Sequence, residues 1–177
     1  MIASHTSRPL VVVPGVVASL AMGPDTPPPF ERFLGEHGAT VMRFLVVAVG
    51  PEHADDVYQE TFLSALRAYP RVRDDGRLDR WILRIASRTA IDHHRARARR
   101  PEPRASLPDR PLAGPEPPDD ELRAAVAALP PKQRAAVALR HLLDRPYPEI
   151  AEILGCSEEA ARANVRAGLA TLRERVR

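Results

Sequence analysis

The side chains best suited to chemistry in this chain are arginines, and their spacing points to binding phosphates and base edges. At 100° per residue, Arg77, Arg80, Arg84, Arg88 and Arg95 fall within about 80° of arc on one helix. Trp81 borders that cluster, where core packing is one reading of it and membership of the cationic surface the other. A second stripe, Arg162, Arg166 and Arg173, follows Ser157. The guanidinium fork matches a phosphate or the edge of guanine. A GC-rich coding bias would also favour arginine, and Lys132 is the only lysine. Catalytic patterns are absent by geometry. His93 and His94 are adjacent and point about 100° apart on a helix, which is not the i, i+4 arrangement of paired metal ligands. Ser87, Asp92 and His93 share one helix and cannot converge as a triad. No glycine-rich phosphate loop follows a strand. The chain is therefore not expected to be an enzyme, nor to hold a cofactor or metal.

Charge is segregated along the 177 residues, whose net charge is only +3. Residues 71–100 carry ten arginines against four aspartates, and residues 122–177 carry ten cations against six carboxylates. Segments 30–70 and 101–121 are net negative. Two positive blocks kept apart by negative ones favour two local contacts with a polyanion, because local potential governs phosphate binding. Solvation of helix faces is the bland use of such charge. Cys156 is alone, which excludes a disulfide framework and fits a reducing, cytoplasmic setting. A small buried apolar role is expected for it.

The elements that must position these arginines are all helical. Hydrophobic content is 44% but aromatics are only 5%, so the cores must be built mainly from Leu, Ile, Val and Ala. Phe30, Phe33, Leu34, Val41, Phe44, Leu45 and Ala48 recur at helical spacing, and Gly50-Pro51 ends that run. A second helix is expected over Glu52–Tyr69, with acidic residues in its early turns and Pro70 after it. A third runs from about Arg77 to Arg99 and buries Leu78, Trp81, Ile82, Ile85 and Thr89. Residues 101–118 contain seven prolines and no apolar periodicity. Fully extended, such a tether reaches roughly 55 Å, on the order of sixteen base pairs. Short helices follow from Asp119 or Asp120 to Leu129, from Lys132 to Leu143 and from Pro146 to Leu154. The last begins after an N-cap at Ser157 and buries Ala161, Val165, Leu169, Leu172 and Val176. The fold class is all-α: two small helical domains, 30–100 and 119–177, joined by the Pro-rich linker. Residues 1–29 read as a disordered extension, whose apolar stretch is short for a membrane span and broken by Pro14-Gly15.

Pro148 to Arg173 carries the strongest local signal, a helix–turn–helix. Small Ala151 permits close helix crossing and Gly155 permits the turn. The following helix would set Arg162 and Arg166 toward the major groove. Glu158 and Glu159 in its first turn complement the dipole. On the second helix Asp56, Gln59, Glu60 and Leu63 share one face, suited to a basic partner helix or merely to water.

Three segments carry a family resemblance. Residues 128–176 resemble region four of bacterial sigma factors of the extracytoplasmic-function (ECF) group. DDVYQETFLSALRAY (55–69) and RLDRWILRIASRTAIDHHRARARR (77–100) resemble adjoining stretches of region two, with Trp81, Ile85, Ala86, Asp92 and Arg95 in family positions. The order of the two motifs, with a linker between, makes the likeness specific. It implies that Asp55, Asp56, Gln59, Glu60, Phe62 and Leu63 dock on core RNA polymerase, against the clamp coiled coil of the beta-prime subunit. It implies that Arg77, Arg80, Trp81, Arg84, Arg88 and Arg95 contact the promoter −10 element, where an extruded base is captured near Asp79 and the Asp74–Gly76 turn. It implies that Arg140, Ser157, Arg162, Ala163, Asn164 and Arg166 face −35 DNA. An anti-sigma factor is a common further partner in that family, and stable membrane insertion is not expected.

Two departures stand out. Arg88 replaces the family's usual Asn, and Glu159-Ala160-Ala161-Arg162-Ala163 replaces its usual Gly-Thr-Val-Lys-Ser. The lost hydroxyls alter the expected −35 preference, while Arg162 keeps a cation. The expected function is an alternative sigma factor. Two other readings stay open from sequence: an operator-binding regulator acting without polymerase, and a sigma-like protein-interaction adaptor.

Overall fold

The structure is a computed structural model that describes residues 26–99 and 118–176. Seven α-helices occur among them: α1 (Phe30–Val49), α2 (Pro51–Ala68), α3 (Leu78–Arg99), α4 (Pro118–Ala127), α5 (Pro131–Val137), α6 (Tyr147–Leu154) and α7 (Glu158–Arg175). A 3-10 turn, Tyr69–Arg71, follows α2, and a π-helical turn, Ala138–Leu142, extends α5. No strand occurs among the described residues. The expectations for residues 1–25 and for the linker at 100–117 lie outside them.

Local signals set these boundaries. Gly50 adopts φ 91 and ψ 152, a region essentially reserved for glycine, and Pro51 opens α2 at the position where its missing N–H costs nothing. Gly155 closes α6 in the left-handed conformation, and Cys156 N–H donates to the Ala151 carbonyl at 3.0 Å. Ser157 then caps α7, its Oγ accepting from Ala160 N–H at 3.1 Å.

Helices α1 to α3 pack on one another around Phe33, Phe44, Leu45, Val57, Ile82 and Leu83. Each such buried side chain contributes about 1.5–3 kcal/mol. The few aromatics concentrate at one end, where Phe30, Phe33, Phe62, Tyr69 and Trp81 form edge-on and tilted contacts. The second unit closes around Leu129, Leu139, Ile150, Ile153, Ala161 and Val165. There α7 crosses α5 so closely that a Cβ on Gly168 would lie 2.7 Å from Val137 Cγ2. At the far end of α7 the expectation fails: Val176 is exposed because the helix ends at Arg175, one residue short of it. Cys156 is likewise only partly buried, since it sits in the turn ahead of the N-cap.

A loose tether leads one to expect separated units; in the structure they touch. Helix α3 lies on α6, and α1 on α5. Arg134 of α5 is buried and donates to the carbonyls of Ala48 (3.2 Å), Leu129 (3.0 Å) and Ala127. The first belongs to α1, so a buried guanidinium bridges the units. Burial pushes its pKa down, and Glu52 opposes that shift.

Candidate nucleic-acid interface

Two arginine surfaces and one acidic surface emerge. On α3, Arg77, Arg84, Arg88 and Arg95 are exposed and Arg80 is half-buried. Arg80 Nη1 donates to Glu152 Oε2 of α6 at 3.2 Å, and Arg77 approaches the same carboxylate at 4.0 Å. Asp79, one residue from Arg80, accepts from Arg145 at 2.5 Å, and Arg145 also reaches Glu149 at 3.2 Å. The two upper α3 cations thus share one carboxylate of the second unit, Glu152, and Arg77 also lies 3.8 Å from Asp75. Arg88 and Arg95 share Asp92 on their own helix, at 3.9 and 3.1 Å. Arg84 has no ion pair among the described residues.

Arg84 stands between two clefts. One, of about 320 Å³, is lined by Arg71, Arg73, Arg77, Arg80, Trp81 and Glu152, among others. The other, of about 330 Å³, runs between α3 and the end of α6, past Arg88, Arg95 and Lys132. Trp81 both packs on core rings and borders the first cleft. Its ring packs 5.7 Å from Phe33 and 6.0 Å from Tyr69, while its outer edge lines the first cleft. Asp74 Oδ1 accepts from Gly76 N–H at 3.0 Å, fixing the turn that leads into α3.

On α2 the structure exposes Asp55, Asp56, Gln59, Glu60 and Leu63, the last at 54%. Phe62 is a correction. It is only 7% exposed and its ring lies tilted 4.6 Å from that of Tyr58, since position 62 turns inward beside the buried Thr61 and Ala65. Leu66, at 48% exposure, extends the face in its place. Its i+3 spacing from Leu63 was the available signal.

On α7, Arg162, Ala163 and Arg166 are exposed in successive turns, and Ser157 is exposed at the N-cap. Glu158 pairs with Arg162 one turn later. Arg166 has no ion pair among the described residues. Asn164 turns one amide N–H to the Ala160 carbonyl at 2.9 Å, which leaves its second N–H and its oxygen for a ligand. Arg140 projects from the π-helical turn, held by Asp144 (3.3 Å) and the Arg145 carbonyl (3.1 Å). All six positions therefore belong to the second unit, but Asn164 and Ser157 are engaged with their own helix. Arg145 and Glu152 were missed because Asp79 and Arg80 lie 66 and 72 residues away, and Tyr147 because a π-helical turn precedes it.

His93 and His94 are half-buried. His93 lies 4.9 Å from the His53 ring, and His94 Nε2 is 2.8 Å from the Ala48 carbonyl that Arg134 also contacts. Among the described residues no group of three or more His, Cys, Asp or Glu could hold a metal ion. None of their helices is long and apolar enough to cross a membrane.

The arrangement presents cationic faces on α3 and α7 and an acidic face with exposed leucines on α2. Comparison with known proteins gives the family. A family model for sigma-70 region 2 matches residues 33–100, and one for sigma-70 region 4 matches residues 119–172. The ECF RNA polymerase sigma factor SigC of Mycobacterium tuberculosis is 32% identical over 141 residues, covering 76% of each chain. The RNA polymerase sigma factor CarQ of Myxococcus xanthus is 32% identical over 153 residues, 82% of this chain and 87% of its own. The Bartonella quintana sigma factor RpoE, solved in complex with the anti-sigma factor NepR, superposes with a TM-score of 0.65 at 20% identity. That match covers 82% of this chain and 94% of the other.

Proposed function

The chain belongs to the ECF group of RNA polymerase sigma factors, alternative factors for transcription initiation, and on that premise we propose that its two arginine faces divide promoter recognition. The α3 face takes the −10 element and the α7 face takes −35 DNA, while α2 docks on core polymerase in the cytoplasm. The observation that carries this reading is the separation of chemistry by helix. Exposed carboxylates and leucines occupy α2, and exposed guanidiniums occupy α3 and α7.

Each surface has the chemistry its task needs. On α2, Asp56, Gln59 and Glu60 offer acceptors to a basic helix, while Leu63 and Leu66 supply an apolar centre. On α3, Arg84 and Arg88 reach phosphates, and the Trp81 edge beside Arg77 and Arg80 forms a wall against which a displaced base can stack. Unstacking costs a few kcal/mol per step, and a site that binds only the displaced strand offsets it without nucleotide hydrolysis. Arg80 must exchange Glu152 for phosphate in doing so. On α7, the exposed Arg162 and Arg166 enter the major groove from the helix's first turns.

Run-off transcription with purified core polymerase tests the division. The wild-type chain should give promoter-specific transcripts from a linear template, and Asp56→Arg should lose them together with co-purification on core. Transcription undiminished in Asp56→Arg would remove α2 from the docking surface.

A further inference from the structure

Two of the cations assigned above to −35 DNA converge on a residue with no assigned part. The guanidinium carbon of Arg162 lies over the Tyr147 ring, 4.4 Å from its centroid, and that of Arg140 lies over it at 5.5 Å. This meeting depends on an irregular backbone. After Val137 the chain widens into the π-helical turn, closed by Leu143 N–H donating to the Ala138 carbonyl at 3.2 Å. A π turn shifts the angular register of the residues after it, and such turns are frequent at functional sites. Asp144 then takes φ 49, a left-handed conformation that aspartate tolerates better than most residues. Arg145 N–H returns to the Leu139 carbonyl at 2.9 Å, which places Tyr147 at the start of α6 beside Arg140.

We infer that Tyr147 is a positioning residue for promoter reading: its ring holds the guanidinium planes of Arg162 and Arg140 so that the Arg162 fork is presented to guanine in the −35 element. The inference rests on the α7 reading above. A free arginine side chain carries substantial rotamer entropy. Stacking on a ring removes part of that freedom before DNA arrives, so less is lost on binding. Glu158 takes the Nε–H and one Nη2–H of Arg162, and the remaining Nη1 and Nη2 hydrogens at the end of the fork are the donors that pair with guanine O6 and N7. Glu158 holds Arg162 from the helix side, and Asp144 holds Arg140. The Tyr147 hydroxyl makes no hydrogen bond among the described residues, so the ring alone carries the role.

The test is run-off transcription by core polymerase loaded with the full chain. Templates derive from a promoter that wild type selects from a pool randomised at −35, then altered one base pair at a time. Tyr147→Phe should keep wild-type discrimination. Tyr147→Leu should still transcribe but lose about three- to tenfold of its discrimination at the base pairs where Arg162→Ala loses it, and nowhere else. Tyr147→Met gives the same reading should the leucine variant not fold. Discrimination intact in both apolar variants, with Arg162→Ala impaired, overturns the role of Tyr147 and leaves the −35 assignment standing. A uniform loss on every template, including one with a scrambled −35 element, makes Tyr147 structural and also overturns it. Discrimination intact in Arg162→Ala overturns both.

Discussion

The α3 and α7 arginine faces have similar composition and opposite surroundings. Arg77 and Arg80 of α3 are met by Glu152 across the junction of the units, and neighbouring Asp79 is met by Arg145. On α7, Arg162 pairs only with Glu158 of its own helix, and Arg166 has no ion pair among the described residues. The upper end of one cationic face is met by a single carboxylate of the other unit, Glu152; the other face is oriented locally. The lesson is that a count of arginines does not give the availability of a surface. On the proposed reading, engagement of DNA by the upper α3 face would exchange Glu152 for phosphate, whereas Arg166 of α7 needs no such exchange.

The largest expected effect lies where the faces are joined. Arg134→Ala removes the buried donor shared by the Ala48, Ala127 and Leu129 carbonyls. It should cost about 2–4 kcal/mol, because a buried acceptor left unpaired costs its desolvation. Chemical denaturation checks this, and a loss below about 1 kcal/mol would mean that Arg134 does not hold the units. Next, Arg162→Ala should weaken binding to −35 DNA by about 1–3 kcal/mol, the worth of a bidentate base contact. Arg84→Ala should leave −35 affinity unchanged and reduce opening at −10, read by permanganate reactivity of unpaired thymines. Equal losses at both elements would erase the distinction between the faces.

Smaller effects sharpen the contrast. Glu152→Gln should change stability by no more than about 1 kcal/mol, since the carboxylate is exposed and the pair is screened by salt. It should nevertheless raise the affinity of the chain for −10 single strand, and unchanged affinity would show that the carboxylate does not compete with DNA. The histidines give the mildest signal. Burial foremost, then His53, pushes the His93 imidazole below its ordinary value, and burial does the same to His94 against the pull of the Ala48 carbonyl. Folding therefore favours the neutral rings, and the unfolded chain binds more protons below its ordinary pKa of 6.5. That contribution is full above about 6.5 and is lost as pH falls through the lowered folded values. Thermal melts at about pH 7.5 and 5.5 should show a flatter dependence for His93→Gln than for wild type.

Much of this was legible in the residues. Periodicity gave α1 to α3, Pro and Gly gave their ends, and Ser157 announced the start of α7. The α3 stripe followed from 100° arithmetic alone. Other features were illegible for physical reasons. A π-helical turn at Ala138–Leu142 has the composition of an α-helix and differs only in register, so no local signal marks it. Phe62 sat one residue from an exposed face, and one residue is 100° of rotation. Pairs such as Asp79 with Arg145, 66 residues apart, leave no trace in spacing. Arg134 reads as a solvated helix charge until the carbonyls that bury it are seen. Contacts between units, unlike those along a helix, belong to the tertiary structure alone.

The division of labour between the faces is tested most directly by a cycle of run-off transcription measurements. Wild type, Arg84→Ala and Arg166→Ala would each be assayed on templates with intact or scrambled −35 DNA. The penalty for Arg166→Ala should vanish on the scrambled template, while the penalty for Arg84→Ala should persist on both. Penalties for both variants that ignore the −35 sequence would contradict the account.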